Sequence, residues 1–179
     1  MVVAWYLNDN SDSPGQIQSP DPSDVLTVEE LRQKTGIECL TFDADTWETN
    51  PEYAELKRKR GYHYEDGLEI SREALSNYDE MLHIFNTEHL HADEEIRFVT
   101  EGGGYFDLRD SSDRWIRVHV TKNDLLILPA GIYHRFTLDK QNFIRMRRLF
   151  TEEVVWKATN RPEADQLPAR KNYLQAITA

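Results

Sequence analysis

The sequence predicts a mainly β protein, a barrel or sandwich preceded by a few α-helices. Three observations carry that reading. After residue 87 the chain breaks into short runs of β-branched, aromatic and aliphatic residues at regular intervals. Between the runs lie turn residues, among them Gly102-Gly103-Gly104, Asp110 to Asp113, Lys122-Asn123-Asp124, Pro129-Ala130-Gly131 and Asp139 to Asn142. Before residue 87 the signals are helical caps and amphipathic segments instead.

In chain order, Val2 to Leu7 reads as an edge strand, and Asn8 to Asp24, rich in Ser, Asp, Pro and Gly, as a loop. Thr27-Val28-Glu29-Glu30 has the spacing of a capping box and opens a helix that Gly36 ends. Ile37 to Phe42 is a predicted strand. Asn50-Pro51 starts a second helix, closed by Gly61, whose Lys57-Arg58-Lys59-Arg60 run reads as a solvated helix end where the macrodipole favours cations. Asn77 to Asn86 is a third helix, with Met81, Leu82, Ile84 and Phe85 apolar. The predicted strands are then Glu95–Thr100, Tyr105–Arg109, Trp115–Val120, Leu125–Leu128, Tyr133–Leu138, Phe143–Phe150 and Val154–Lys157. Asn160 to Ala179 reads as a mixed surface tail. The 179 residues suit one domain: a helical and strand part over 1–87, a barrel with the functional site over 88–158, and a tail over 159–179.

Composition excludes several classes. A net charge of -11 repels phosphate backbones and argues against nucleic-acid binding. No apolar run approaches the roughly 20 residues of a membrane helix, and the N-terminus lacks a basic region followed by a long apolar run. Cys39 is the single cysteine, so neither an intramolecular disulfide nor a cysteine-based zinc site can form. A reducing, intracellular compartment follows.

The chemistry concentrates in His89-Leu-His91-Ala-Asp-Glu-Glu95 and, some forty residues on, Pro129-Ala-Gly131-Ile-Tyr-His134. In an extended chain His89 and His91 point to one face. If no bulge shifts the phase, Glu95 and Arg97 join that face, while Glu94, Ile96 and Phe98 turn away. The parity of His134 collects Phe136 and Leu138; in Phe143–Phe150 the even set is Ile144, Met146, Arg148 and Phe150. A charge on an apolar face needs a partner or a ligand, so Arg97 and Arg148 are candidates for holding an anionic substrate. A lone His-x-His is a weak signal; a carboxylate on matching parity and a third imidazole on a separate segment strengthen it. Three imidazoles and one carboxylate suit Fe(II), Ni(II), Mn(II), Cu(II) or Zn(II) and disfavour Mg or Ca. Such a set leaves two adjacent positions on an octahedral ion. His63, His83 and His119 read as surface or packing residues.

These residues resemble the cupin family, whose fold is a double-stranded β-helix, a jelly-roll-like barrel. His89, His91, Glu95 and Gly102 match its first motif; Pro129, Gly131 and His134 match its second. Asn123 stands where that motif has a leading Gly, and Asn tolerates the left-handed conformation best among non-glycine residues. Leu138 stands where it has a final Asn. Within the cupins, Trp5-Tyr6, Glu88 to Arg97, Tyr105-Phe-Asp107, Leu128 to Phe136, Trp156 and Asn160-Arg-Pro162 are similar to the eukaryotic acireductone dioxygenase family. The resemblance implies metal ligands at His89, His91, Glu95 and His134, and substrate-facing arginines at Arg97 and Arg148. It also implies pocket aromatics at Phe85, Phe136 and Trp156, and at Glu94 an acid that helps deprotonate the substrate, a role that parity disfavours. It implies Fe(II), with Ni(II) as alternative, an acireductone and dioxygen as substrates, and a place in methionine salvage. A monomer is expected, in the cytoplasm and also the nucleus; animal members are linked to a membrane protease's cytoplasmic tail, so a surface protein partner is a further expectation. The alternatives are another metal-dependent cupin enzyme, an isomerase or other dioxygenase, and a cupin interaction module.

Overall fold

The computed structural model describes residues 1–7, 20–152 and 157–178. Among these, eleven strands form two antiparallel sheets sharing one strand. The strands are β1 (Val3–Tyr6), β2 (Val25–Leu26), β3 (Glu38–Thr41), β4 (Tyr64–Ile70), β5 (His89–Leu90), β6 (Glu95–Arg109), β7 (Trp115–Thr121), β8 (Asp124–Leu128), β9 (His134–Leu138), β10 (Ile144–Phe150) and β11 (Thr159–Asn160). Four α-helices accompany them: α1 (Val28–Thr35), α2 (Pro51–Arg60), α3 (Tyr78–Asn86) and α4 (Pro168–Thr178). The first sheet has the order β11-β5-β9-β6-β7-β1-β2. The second runs β3-β8-β6-β10-β4.

The shared strand is β6, and it corrects the expected pair Glu95–Thr100 and Tyr105–Arg109. Gly102-Gly103-Gly104 does not interrupt the strand; it lets one strand change sheets. Glu95 to Phe98 pairs with β8, and Gly104 to Leu108 with β9. At the crossing the register with β10 shifts between Arg145 and Met146, Gly102 adopts φ +72°, and a Cβ there would lie 2.2 Å from the Phe143 carbonyl oxygen. Only glycine fits such a bulge.

Four other expectations meet the structure as follows. The capping box forms: the Glu30 amide donates to Thr27 Oγ1 at 3.2 Å and the Thr27 amide to Glu30 Oε2 at 2.8 Å. Asn123 takes φ +84°, as its motif position requires. The tail is not an irregular surface segment: α4 buries Tyr173 and Arg170, because Pro168 sits at a helix start, where its missing N–H costs nothing. The expected loop over Asn8 to Asp24 ends in a 3-10 turn at Pro22–Asp24; its residues 8–19, and Val154 to Trp156 of the last expected strand, lie outside the described residues.

Strand β4 was not foreseen. Its sequence Tyr-Glu-Asp-Gly-Leu-Glu-Ile is poor in β-formers, and its pairing with β10 is sustained by cross-strand charges. Arg145 Nη2 donates to Glu69 Oε2 at 2.8 Å and Arg147 Nε to Glu65 Oε1 at 2.8 Å. The basic end of α2 likewise does more than face solvent: Lys57 bonds Glu65 at 2.6 Å, and Arg60 bonds Glu38 of β3.

Two apolar clusters separate the faces of the second sheet. Ile96, Phe98, Leu125, Ile127 and Leu149 pack outward with Phe42, Tyr53 and Tyr62, beneath α2. The larger cluster, with Val99, Phe106, Leu108, Val118, Leu126, Phe136 and Met146, fills the space between the sheets. The parity predicted for Ile96 and Phe98 therefore holds, and Arg97 between them points inward. Phe98 is fully buried, and its truncation to Ala would cost about 3–5 kcal/mol.

Candidate metal centre

Each imidazole arrives on a different piece of backbone. His89 opens β5 and lies directly opposite His134, the first residue of β9. Asn160 of β11 flanks His89 on the other side. His91 follows β5 in a bend, and its carbonyl accepts the Gly131 amide at 2.9 Å. The bond ties the two motifs together. Gly131 adopts φ +84°, and a Cβ there would meet the Ala169 carbonyl oxygen at 2.2 Å, so the turn that delivers His134 requires glycine. Glu95 begins β6 and Arg97 follows on the same face.

The three imidazoles each offer a ring nitrogen within 4.8 Å of the others. Glu95 completes the set: its Oε2 lies 3.0 Å from His91 Nε2 and 3.2 Å from His134 Nε2. The second ring nitrogens all face main-chain carbonyls: His89 Nδ1 to Thr87 at 2.6 Å, His91 Nδ1 to Lys157 at 3.2 Å and His134 Nδ1 to Ile132 at 3.0 Å. A carbonyl oxygen can only accept, so in the neutral rings the proton is on Nδ1 and the Nε2 lone pair points inward. Three lone pairs converging on a carboxylate repel one another unless a cation lies between them. The two Glu95 distances fit one: metal–ligand bonds of about 2.1 Å put neighbouring donors of an octahedron about 3 Å apart. The carbonyls are then the outer partners that metal-bound imidazoles usually have.

Electrostatics favour the same forms. Burial, helped by neighbouring His134, pushes the His89 pKa down to about 4, so the ring is neutral at ordinary pH. Burial alone would raise the Glu95 carboxyl, but neighbouring positive charge, Arg97 foremost, outweighs it and holds it well below the usual carboxylate range. Neutral imidazole and ionised carboxylate are the ligating forms.

The centre lies in a cavity of about 370 Å³, large enough for a small metabolite. Its lining includes Phe85, His89, His91, Glu95, Arg97, His134, Phe136 and Arg148, so eight of the ten expected site residues converge. Trp156 lies outside the described residues. Glu94 is turned to the other face of β6: its carboxylate accepts from Tyr62 Oη at 2.8 Å and pairs with Arg60 at 3.5 Å. The strand pleat that brings Glu95 and Arg97 in sends Glu94 out, and it is not among the residues that line the cavity. Leu68 and Ile70 of β4, Met81 and Ile84 of α3, and Asn160 of β11 also line the cavity. The apolar stripe of α3 was readable in advance; β4 and β11 were not, being strands without a strand's usual composition. His119 stacks on Tyr105 at 4.7 Å and belongs to the packing, as expected.

Three imidazoles and a carboxylate inside a two-sheet barrel define a metal-dependent enzyme of the cupin class. A family model described as the ARD/ARD' family matches residues 3–158, and the chain belongs to that family. It is 49% identical to the acireductone dioxygenase of Ixodes scapularis over 99% of this chain and 97% of the relative. It is 45% identical to that of Homo sapiens over 99% and 98% of the two chains. Among solved structures, an acireductone dioxygenase from Bacillus anthracis with a cadmium ion in its active center superposes with a TM-score of 0.68 at 20% identity, covering 89% of this chain and 98% of that one. That likeness bears out the fold.

Proposed function

We propose that this enzyme cleaves the acireductone 1,2-dihydroxy-3-keto-5-methylthiopentene with dioxygen in methionine salvage. With Fe(II) the products are 4-methylthio-2-oxobutanoate and formate; with Ni(II) they are methylthiopropionate, formate and carbon monoxide. The observation that carries the reading is the convergence of three imidazoles, each with Nδ1 against a main-chain carbonyl, and Glu95 beside two cavity arginines. Relatives sharing nearly half of all positions over full length bear the same activity in their names.

His89, His91, Glu95 and His134 would hold the divalent ion, which when bound supplies Lewis acidity and adjacent open positions for a chelating substrate. The acireductone is an anion when deprotonated. Arg97 is buried and ties to Glu95 at 3.3 Å and to the Ile96 carbonyl at 3.0 Å. That anchorage sets its guanidinium beside the ligand set, where it stabilises negative charge in a dry pocket. Arg148 flanks it on the next strand. Phe85, Phe136, Met81 and Met146 form an apolar wall suited to a methylthio tail. Glu94 is given no role, because its carboxylate bonds Tyr62 on the far side of the strand. All four ligands come from one chain, consistent with activity as a monomer, and we place the enzyme in the cytoplasm.

The test is metal analysis of freshly purified protein paired with product analysis. Protein loaded with Fe(II) should consume dioxygen with synthetic acireductone and release formate without carbon monoxide. Metal-loaded protein that takes up no dioxygen with acireductone would refute the assignment and favour another cupin chemistry.

A further inference from the structure

One row of residues crosses the cavity wall over three strands. Asp66 of β4 faces Arg148 of β10, and Arg148 faces Arg97 of β6. Two arginines thus stand side by side at the distance of cross-strand neighbours, where like charges repel. Each has its own carboxylate. Arg97 leans on Glu95 at 3.3 Å. Arg148 is gripped at two points by Asp66, Nε to Oδ1 at 2.7 Å and Nη2 to Oδ2 at 2.5 Å. The Phe150 ring lies 5.7 Å from the Arg148 guanidinium carbon. Asp66 shares the pleat face of Leu68 and Ile70, which line the cavity with Arg148, yet it stays outside the lining and its side chain is 45% exposed.

We propose that Asp66 is a positioning residue for the reaction: its fork fixes the guanidinium of Arg148 against repulsion from Arg97 and aims it at the anionic substrate. The proposal rests on the reading that Arg148 contacts that substrate. A fork–fork pair occupies Nε and Nη2 together, so it sets the plane of the guanidinium and the direction of Nη1. Asp66 is nearly half exposed, which limits what the pair adds to stability, so the loss in catalysis should exceed the loss in Tm. The same strands supply a control. Glu69 pairs with Arg145 through one oxygen, Oε2, which accepts from Nε at 3.2 Å and Nη2 at 2.8 Å, and that pair lies outside the cavity lining.

The experiment is a double-mutant cycle on the full-length, metal-loaded enzyme, with kcat and KM for acireductone and Tm measured throughout. Asp66→Asn should lower kcat/KM by about tenfold or more, the size typical of residues that orient a functional group. Asp66→Glu should recover much of that loss, and Glu69→Gln should change nothing. Arg148→Ala should lose more, and Asp66→Asn/Arg148→Ala should be little worse than Arg148→Ala alone, because Asp66 acts mainly through Arg148 and its direct pull on Arg97 is the weaker one. Added guanidinium should partly restore Arg148→Ala and leave the double variant unchanged. Losses that multiply in the double variant, or equal rescue of both, would overturn the role of Asp66. Wild-type kcat/KM in Arg148→Ala would instead remove Arg148 from the substrate site, a different failure that takes the proposal with it.

Discussion

Two buried clusters in this molecule contain the same chemistry and use it in opposite ways. On the other face of β6, Asp107 is locked between two arginines: Arg117 Nε and Nη2 donate to its two oxygens at 2.7 and 2.9 Å, and Arg135 Nε donates at 2.9 Å. Arg117 and Arg135 also lie over the rings of Tyr105 and Trp115, at 5.1 and 4.6 Å. In the metal centre Glu95 meets Arg97 at 3.3 Å and otherwise faces the Nε2 atoms of His91 and His134, whose Nδ1 atoms are turned to main-chain carbonyls. In the closed cluster both carboxylate oxygens accept from guanidinium donors; the open one holds its charge ready for something else. Burial of charge alone does not mark a functional site. Charge buried with donors pointed the wrong way does.

The largest effect should come from closing the open cluster's gap. Glu95→Ala should abolish metal binding and acireductone-dependent dioxygen uptake; metal content and uptake both at the wild-type level would mean Glu95 is not a ligand. The same comparison predicts that a divalent ion at about 100 times its Kd stabilises wild type by about 2.7 kcal/mol and Glu95→Ala hardly at all, which denaturant titration can read. Next is Asp107→Asn, which takes the carboxylate from the buried Arg117 and the partly buried Arg135 and should cost about 3–5 kcal/mol of stability. Per folded molecule it should leave kcat/KM unchanged; a catalytic defect at unchanged stability would erase the distinction between the clusters. Arg97→Ala should keep the metal yet lower kcat/KM by about 100-fold, and near-normal kcat/KM would remove it from the chemistry.

The smallest effect concerns Cys39, on the strand β3 that closes the second sheet. Burial, with Asp124 nearby, pushes its thiol pKa up to about 12 from an ordinary 9.0. The unfolded thiol ionises first, so the stability this group contributes is intact below pH 9 and is lost as pH rises toward 12. Native protein should therefore resist alkylation at pH 8 and react once unfolded; rapid native labelling would show that wall to be open.

Much of the centre was legible because strand parity is a strict period. Glu95 and Arg97 on one face of β6, with Ile96 and Phe98 on the other, needed no knowledge of tertiary structure, whereas His91 lies past the end of β5 and reaches the centre by the turn that follows, not by the strand period. The Asn123 turn was legible for a related reason, since few residues tolerate its backbone. What escaped was set by partners distant in sequence. The acidic residues of β4 form a strand because β10 presents arginines opposite them, and Gly102 serves a bulge because Phe143 crowds it from another strand. The closed Asp107 cluster was equally hidden, its arginines contributed by β7 and β9. Asp66 had no motif to announce it; only the register reveals its place beside Arg148.

Because β6 belongs to both sheets, the molecule has no half that can be built first. Its partners β7, β8, β9 and β10 all lie downstream, and the carbonyl that orients His91 belongs to Lys157. A growing chain has His89, His91 and Glu95 long before it has the rest, and nothing yet holds them in place. Such non-local pairing makes for slow, late assembly. During synthesis, then, metal capture should wait until nearly the whole polypeptide has left the ribosome, and chains stopped before Phe150 should neither fold nor hold an ion.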